Sequence, residues 1–427
     1  MRIYDFFLRL FIKINLIKII FLRNKKNILF IIKLFNLFII FIYILVISFI
    51  KIKNIINSKI INQINNFENL NIIDETEIIN FHTINNNNIL LDKKKYNRSE
   101  YPDISIILTV YNQAHYIHQA LRSIQNQSIK NLEIIVIDDC SIDNSIEVIE
   151  SFKKADDRIT ILSHESNEGK IKSRAQGVRI AKGKYITILD GDDSFIHSKI
   201  LYNGLYIANL ANLDVVEFKA SYYLNEKFIR VVNNYYQDNR IIYQPELKTK
   251  FINIKDDDSV RPIINRSICF KLIKNSIFKK IINIIGPRYT EEYMLNYEDT
   301  IMSYILFKVA NSYYLMKERG YYYSKTEDKY QFQQKKKCKR TINIIKKTID
   351  PIKFLYFLLE KTKNNKIERK VIYHEIISIN YYNKIINVIN NNDNYALNIL
   401  KVMIKCRYLS KIEKEKLIYI FNNLKNK

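Results

Sequence analysis

Tyr185-Ile186-Thr187-Ile188-Leu189-Asp190-Gly191-Asp192-Asp193 carries more information than any other stretch of this chain. A short, largely apolar run reads as a buried strand, and it ends abruptly in Asp190, Asp192 and Asp193. Carboxylates crowded at the end of a buried strand repel one another and lose hydration, so they persist mainly where a cation offsets the cost. An oxygen-only donor set suits Mg²⁺ or Mn²⁺, ions that commonly share their coordination shell with substrate phosphates. A solvated acidic turn is the alternative, and the flanking sequence weighs against it.

Upstream, strand and helix patterns alternate. Ile104–Val110, Leu132–Ile137 and Ile159–Leu162 are apolar runs, the kind that a parallel sheet covers on both faces. Ile117, Ala120, Leu121 and Ile124 fall at helical spacing, as do Ile146, Ile149 and Phe152, and then Ile171, Ala175 and Val178. The β-α-β-α-β-α-β order predicts a parallel, doubly wound sheet, in which ligands sit beyond the carboxyl ends of the strands. Thr109, Asp139 and Asp190 to Asp193 all lie at those ends. The chain has seven glycines. Neither a dinucleotide-binding glycine fingerprint nor a P-loop follows any predicted strand, which sets aside the enzymes built on those loops. Phosphate must then be neutralised by metal and cationic side chains.

Four segments together resemble the family 2 glycosyltransferases. They are Ser105–Asn112 (Ser-Ile-Ile-Leu-Thr-Val-Tyr-Asn), Ile137–Asn144 (Ile-Asp-Asp-Cys-Ser-Ile-Asp-Asn), Asn167–Gly177 (Asn-Glu-Gly-Lys-Ile-Lys-Ser-Arg-Ala-Gln-Gly) and Leu189–Asp193. The likeness runs over about residues 101–330. It implies an α/β domain of the GT-A type with a mostly parallel central sheet that binds a nucleotide-diphosphate sugar. By this likeness Thr109, Tyr111 and Asp139 contact base and ribose, and Arg174 lies near the base or diphosphate. Asp190 faces the ribose, while Asp192 and Asp193 hold Mn²⁺ or Mg²⁺. Three positions depart from the family's usual pattern: Thr109 replaces a common proline, Cys140 a common glycine and Ala175 a common asparagine. None removes a charge, so activity is expected to survive them.

Asn296-Tyr297-Glu298-Asp299 resembles the family's Glu-Asp motif at a helix start. A carboxylate there is held as an anion by the helix dipole and is ready to accept a proton. Asp299 is the expected base and Glu298 the second candidate; a plain acidic helix start is the other reading. The resemblance implies a metal-dependent, inverting glycosyltransferase of hexosyl type. Its partners would be a nucleotide-diphosphate sugar and a glycan or other hydroxyl acceptor. A catalytically inactive, membrane-anchored nucleotide-sugar or glycan-binding protein is the alternative.

The net charge of +25 does not point to nucleic acid once it is located. Residues 1–60 hold eleven basic residues against one Asp, residues 331–427 hold 22 against seven acids, and the rest is balanced. Basic excess at the two ends reads as contact with acidic membrane lipid. Five regions follow: a basic segment 1–26, a transmembrane helix 27–50, an Asn- and Ile-rich stem 51–100, the catalytic domain 101–330 and a basic helical extension 331–427. Ile28–Ile50 is long and apolar enough to span a bilayer. The basic residues before it outnumber those just after it, which predicts a single pass with a cytosolic N-terminus. That means the Golgi or endoplasmic reticulum in a eukaryote and the inner membrane in a bacterium. Asn97 and Asn265 begin glycosylation sequons, and the four cysteines, Cys140, Cys269, Cys338 and Cys406, show no zinc spacing.

Overall fold

The computed structural model describes residues 25–70, 100–224, 227–231, 240–244, 246–247, 253–254, 260–261, 267–287 and 298–325, with Ile418 and Asn422. The basic segment before residue 25, stem residues 71–99, both sequon asparagines, Asn296, Tyr297, Cys338, Cys406 and the remainder of the 331–427 extension lie outside these residues.

Two compact units divide the chain, Met1–Gln63 and Ile64–Lys427. Helix α1 (Lys25–Leu70) has 46 residues, and no Pro or Gly interrupts it. Within its stretch Phe41–Leu70 an 18-residue window has mean hydropathy 1.5, long and apolar enough to cross a membrane. In the first unit Phe41, Tyr43 and Phe49 expose most of their apolar surface. The last turns of α1 belong to the second unit, where they are docked. Ile64 is buried, Phe67 stacks on Tyr206, and the Glu68 carboxylate accepts hydrogen bonds from Tyr314 Oη at 2.7 Å and from the Lys317 amide at 2.8 Å.

The second unit follows the expected alternation. In order come β1 (Ile104–Val110), α2 (Ile117–Gln125), β2 (Leu132–Asp138), α3 (Ser145–Lys153), β3 (Ile159–Ser163), α4 (Lys170–Ile180) and β4 (Tyr185–Asp190). After these come β5 (Ser194–Phe195), α5 (Ile200–Leu210), β6 (Val215–Leu224), β7 (Lys227–Val231), β8 (Ile242–Tyr243), β9 (Asn253–Ile254) and β10 (Val260–Arg261). β11 (Lys271–Lys274), α6 (Asn275–Ile285), α7 (Glu298–Val309) and β12 (Ser312–Lys325) complete it. Every residue of β1 and β2 is buried, as expected of strands covered on both faces. The helical stripe Ile117, Ala120, Leu121 and Ile124 is buried throughout, its Ile and Leu side chains each contributing about 2 kcal/mol of apolar transfer.

Among the described residues the main sheet runs β3-β2-β1-β4-β11-β6-β12-β5, with β7 on β6 and β8 on β12. β1 to β4 pair in parallel. β11 is antiparallel to both β4 and β6, so β6 runs the same way as β4, and β12 is parallel to β6. This is a GT-A-type α/β fold with a mostly parallel sheet. Its consequence for chemistry is that β1, β2, β4, β6 and β12 all present their carboxyl ends at one edge.

The opposite edge is sealed by polar side chains. Buried Glu133 accepts hydrogen bonds from Ser105 Oγ at 2.5 Å, the Lys182 amide at 2.6 Å and the Gly183 amide at 3.1 Å. Gly183 is pressed against backbone: a Cβ there would meet Ser105 N at 2.4 Å and Ile104 C at 2.7 Å. Gly183→Ala is therefore expected to destabilise the domain by roughly 1–3 kcal/mol, since main-chain atoms cannot swing away as a side chain can. Urea denaturation tests this, and an unchanged midpoint would refute it.

Candidate active site

The carboxyl edge gathers the residues singled out in the sequence. Thr109, near the end of β1, donates its hydroxyl to Asp190 Oδ1 at 3.2 Å. Tyr111 follows and is partly exposed. Asp139, after β2, is largely buried, and its carboxylate accepts hydrogen bonds from the amides of Glu168 (2.7 Å) and Gly169 (2.9 Å). His164 Nδ1 lies 2.8 Å from Asp139 Oδ1 and its Nε2 lies 2.5 Å from Gln176 Oε1. Asp139 thus ties the loop before α4 to the end of β2. His164 was not singled out in the sequence; the available signal was one polar aromatic residue directly after β3.

Cys140 has φ +63, in the left-handed region where a side chain is strained. This explains why glycine is common at that position. Gly191 has a different reason. A Cβ there would lie 2.3 Å from Gln113 Oε1 and 3.2 Å from Thr109 O, so the turn can bring the aspartates together only without a side chain. Gln113 Oε1 is buried there with no hydrogen-bond partner.

Asp190, Asp192 and Asp193 each offer a carboxylate oxygen, and these oxygens lie within 4.8 Å of one another. Their surroundings differ. Lys170 Nζ sits 2.8 Å from Asp190 Oδ2, and Arg174 Nη2 3.0 Å from Asp190 Oδ1. Burial alone would raise the proton affinity of Asp190, but these two cations outweigh it and hold the carboxyl well below the usual range. Asp193 accepts hydrogen bonds from Tyr321 Oη at 2.9 Å and the Ser324 amide at 3.0 Å. Burial, then the Asp192 and Asp190 charges, push its proton affinity well up. Lys170 and Arg174 bond Asp190 directly, and Asp192 and Asp193 add further carboxylate oxygens beside it whose mutual repulsion a hard divalent cation would relieve. The donor set therefore fits Mg²⁺ or Mn²⁺.

Arg174 joins this cluster to the second motif. Its side chain is 0% exposed; Nη1 lies 2.5 Å from Asp299 Oδ1 and 3.7 Å from Glu298 Oε1, while Nη2 holds Asp190. Ser267 Oγ donates to Asp299 Oδ2 at 3.3 Å. Burial, followed by the Asp299 charge, raises the proton affinity of Glu298. Asp299, with 33% of its side chain exposed against 11% for Glu298, is the more open of the pair. Asp190 and Asp299 are thus joined through Arg174, and Asp139 lies at the same carboxyl edge of the sheet, after β2. Arg174, expected near the donor, bridges two carboxylates, Asp190 and Asp299. Lys170, Tyr321 and Ser267 complete the site and were not singled out; only the position of Lys170 inside a quoted motif hinted at it.

A sheet edge of this kind, with clustered carboxylates beyond β4 and an acidic helix start facing them, defines a glycosyltransferase-type site. Residues 105–281 match the model of the family described as Glycosyl transferase family 2. The chain is 28% identical over 233 residues to glycosyltransferase GlyG of Streptococcus pneumoniae, covering 52% of this chain and 73% of that protein. An uncharacterized glycosyltransferase of Haemophilus influenzae is 28% identical over 306 residues, 66% of this chain and 88% of that one. Another from the same organism reaches 42% identity over 99 residues but only 40% of its own length. Among solved structures, Staphylococcus aureus TarS 1-349 in complex with UDP-GlcNAc aligns over 76% of this chain and 89% of that one, at 16% identity and a TM-score of 0.43. At that score the likeness carries no argument.

Two expected outcomes follow from the geometry. Cys140→Gly should stabilise the domain by about 1 kcal/mol by releasing the left-handed strain, read as a higher thermal midpoint; a lower one contradicts the account. Arg174→Met should cost roughly 3–5 kcal/mol, because Asp190 and Asp299 lose their buried partner. Chemical denaturation checks this, and a loss below 1 kcal/mol would show that the strut is dispensable.

Proposed function

We propose that the protein is an inverting, metal-dependent glycosyltransferase that moves a sugar from a nucleoside-diphosphate donor to a hydroxyl of a glycan, lipid or protein-linked acceptor. The supporting observation is that buried Arg174 connects Asp190 of the three-carboxylate cluster to Asp299 of the helix start, in a chain whose residues 105–281 match the family 2 model. The donor half lies along β1, β2 and β4, where Thr109, Tyr111, Asp139 and Asp190 are the proposed contacts for base and ribose. Asp192 and Asp193 are the proposed holders of Mn²⁺ or Mg²⁺. A divalent ion bound there supplies Lewis-acid stabilisation of the charge on the leaving diphosphate.

In the proposed reaction Asp299 takes the proton of the acceptor hydroxyl. The hydroxyl oxygen bonds to the anomeric carbon while that carbon's bond to the diphosphate breaks, which inverts its configuration. Arg174 holds the Asp299 carboxylate in place, and Lys170, 50% exposed, adds positive charge beside the leaving group. Glu298 is the second candidate for the base. Its raised proton affinity makes it the stronger base of the pair when ionised, and its deeper burial makes it the less accessible one. The apolar α1 is the proposed membrane anchor, with the N-terminus cytosolic and the basic ends against acidic lipid.

The test is donor turnover by the full-length protein in detergent, with UDP-, GDP-, CDP- and dTDP-sugars, with and without Mn²⁺. Asp299→Asn is expected to lower turnover by about 10²–10⁴-fold, while nucleoside-diphosphate affinity stays within about threefold. If no donor is consumed in the presence of Mn²⁺, the enzymatic reading fails and the binding-protein alternative takes its place.

A further inference from the structure

The carboxyl edge does not stop at the aspartates. β6 and β12 run on past it, with β7 paired to the outer side of β6. Through β11, Val215 of β6 lies level with Ile186 of β4. By the same count Lys219 is level with Asp190, and Tyr222 stands three residues further out, about 10 Å beyond the end of β4. Tyr323 of β12 pairs with Tyr222 in the parallel ladder, and their ring centroids are 5.8 Å apart. Tyr323 is also fixed against the aspartates. Tyr321, two residues before it, and the amide of Ser324, directly after it, both hydrogen-bond Asp193.

The two faces of this extension are used differently. On one face Tyr223 stacks on Tyr322 at 3.9 Å and meets Phe228 at 5.7 Å, and Tyr322 and Tyr223 pack with buried Ile196. That face is core. Strand alternation puts Tyr321 and Tyr323 on the other face, where Tyr321 reaches Asp193. Tyr222 and Tyr323 are half-buried, leaving aromatic surface at the mouth of the cleft.

We infer that Tyr222 and Tyr323 form a platform on which the acceptor's sugar ring stacks, placing its hydroxyl toward Asp299; this rests on the glycosyltransferase reading of the site. A pyranose has an apolar C–H face and a polar rim. Aromatic rings with polar tips match both, since the ring's negative face attracts the polarised hydrogens and the phenol meets the hydroxyls. Recognition by ring stacking and phenol hydroxyls needs no ion pair, so the occupant is a neutral sugar. The platform sits on the β6–β12 side of the cluster, and the proposed base and ribose contacts sit on the β1–β2 side. It is therefore placed for acceptor, not for donor.

The experiment uses the full-length protein in detergent, saturated with Mn²⁺ and with whichever of UDP, GDP, CDP or dTDP binds it. Saturation-transfer NMR is recorded with the methyl glycosides of glucose, galactose, mannose and N-acetylglucosamine. Wild type is expected to saturate the ring protons of at least one glycoside. Tyr323→Phe should keep the signal, and Tyr323→Ala and Tyr222→Ala should each reduce it about fivefold, the weight of one aromatic contact. Nucleotide affinity should stay unchanged in all three variants. Retention of the glycoside signal in both alanine variants overturns the inference. So does a wild type that binds nucleotide but none of the four glycosides. A wild type that binds no nucleotide overturns the glycosyltransferase reading itself, which separates the two failures.

Discussion

Negative charge concentrated at one end of a sheet is the constraint to which the rest of this domain answers. Asp190, Asp192, Asp193, Glu298 and Asp299 come from two distant parts of the chain and meet in a partly buried cleft. Desolvated carboxylates at such separations repel strongly unless a positive group stands between them. Arg174 is that group. Its planar guanidinium has donors pointing in several directions, so one side chain reaches Asp190 and Asp299 at once. A lysine ammonium in its place would face one of them.

The strut works because the scaffold around it is rigid. α4 carries Arg174 on its buried face, and Gly177 of the same helix presses against Ile107 of β1, a contact that leaves no room for a Cβ. Asp139 ties the loop entering α4 to the end of β2, and Gly191 allows the turn after β4 to close on Thr109 and Gln113. On the far side Tyr321 holds Asp193, so the cluster is braced from β12 as well as from β4. The backbone strain at Cys140 and Phe270, both at φ +63, falls beside these same groups. Strain at functional clefts is common where packing overrides local preference.

The sheet order explains how two acidic motifs far apart in the chain come to share one edge. β11 runs antiparallel between β4 and β6 and restores the direction of β6, so the second half presents its carboxyl ends at the same edge as the first. The Glu-Asp pair and the β12 tyrosines reach the aspartates through this geometry. No local feature of residues 271–325 announces it.

The early strands and helices were legible because burial writes itself into sequence as period. Ile104–Val110 is continuous and apolar because both its faces are covered, and the stripe at Ile117, Ala120, Leu121 and Ile124 repeats at helical spacing because one face is. The aspartates were legible because three carboxylates after a buried strand are costly without a purpose. What remained hidden depends on contacts between residues far apart. That Arg174 is an internal strut, that His164 orients Asp139, that Lys170 bonds Asp190 while Tyr321 bonds Asp193, and that α1 ends docked through Glu68 all follow from through-space pairing. Sequence alone determined the alternating α/β order, the identity of the acidic groups and the apolar helix, because each is set by neighbours within a turn or a strand. Only the tertiary structure decided which charges meet, because electrostatic energy depends on distance in space, and the chain's spacing does not record it.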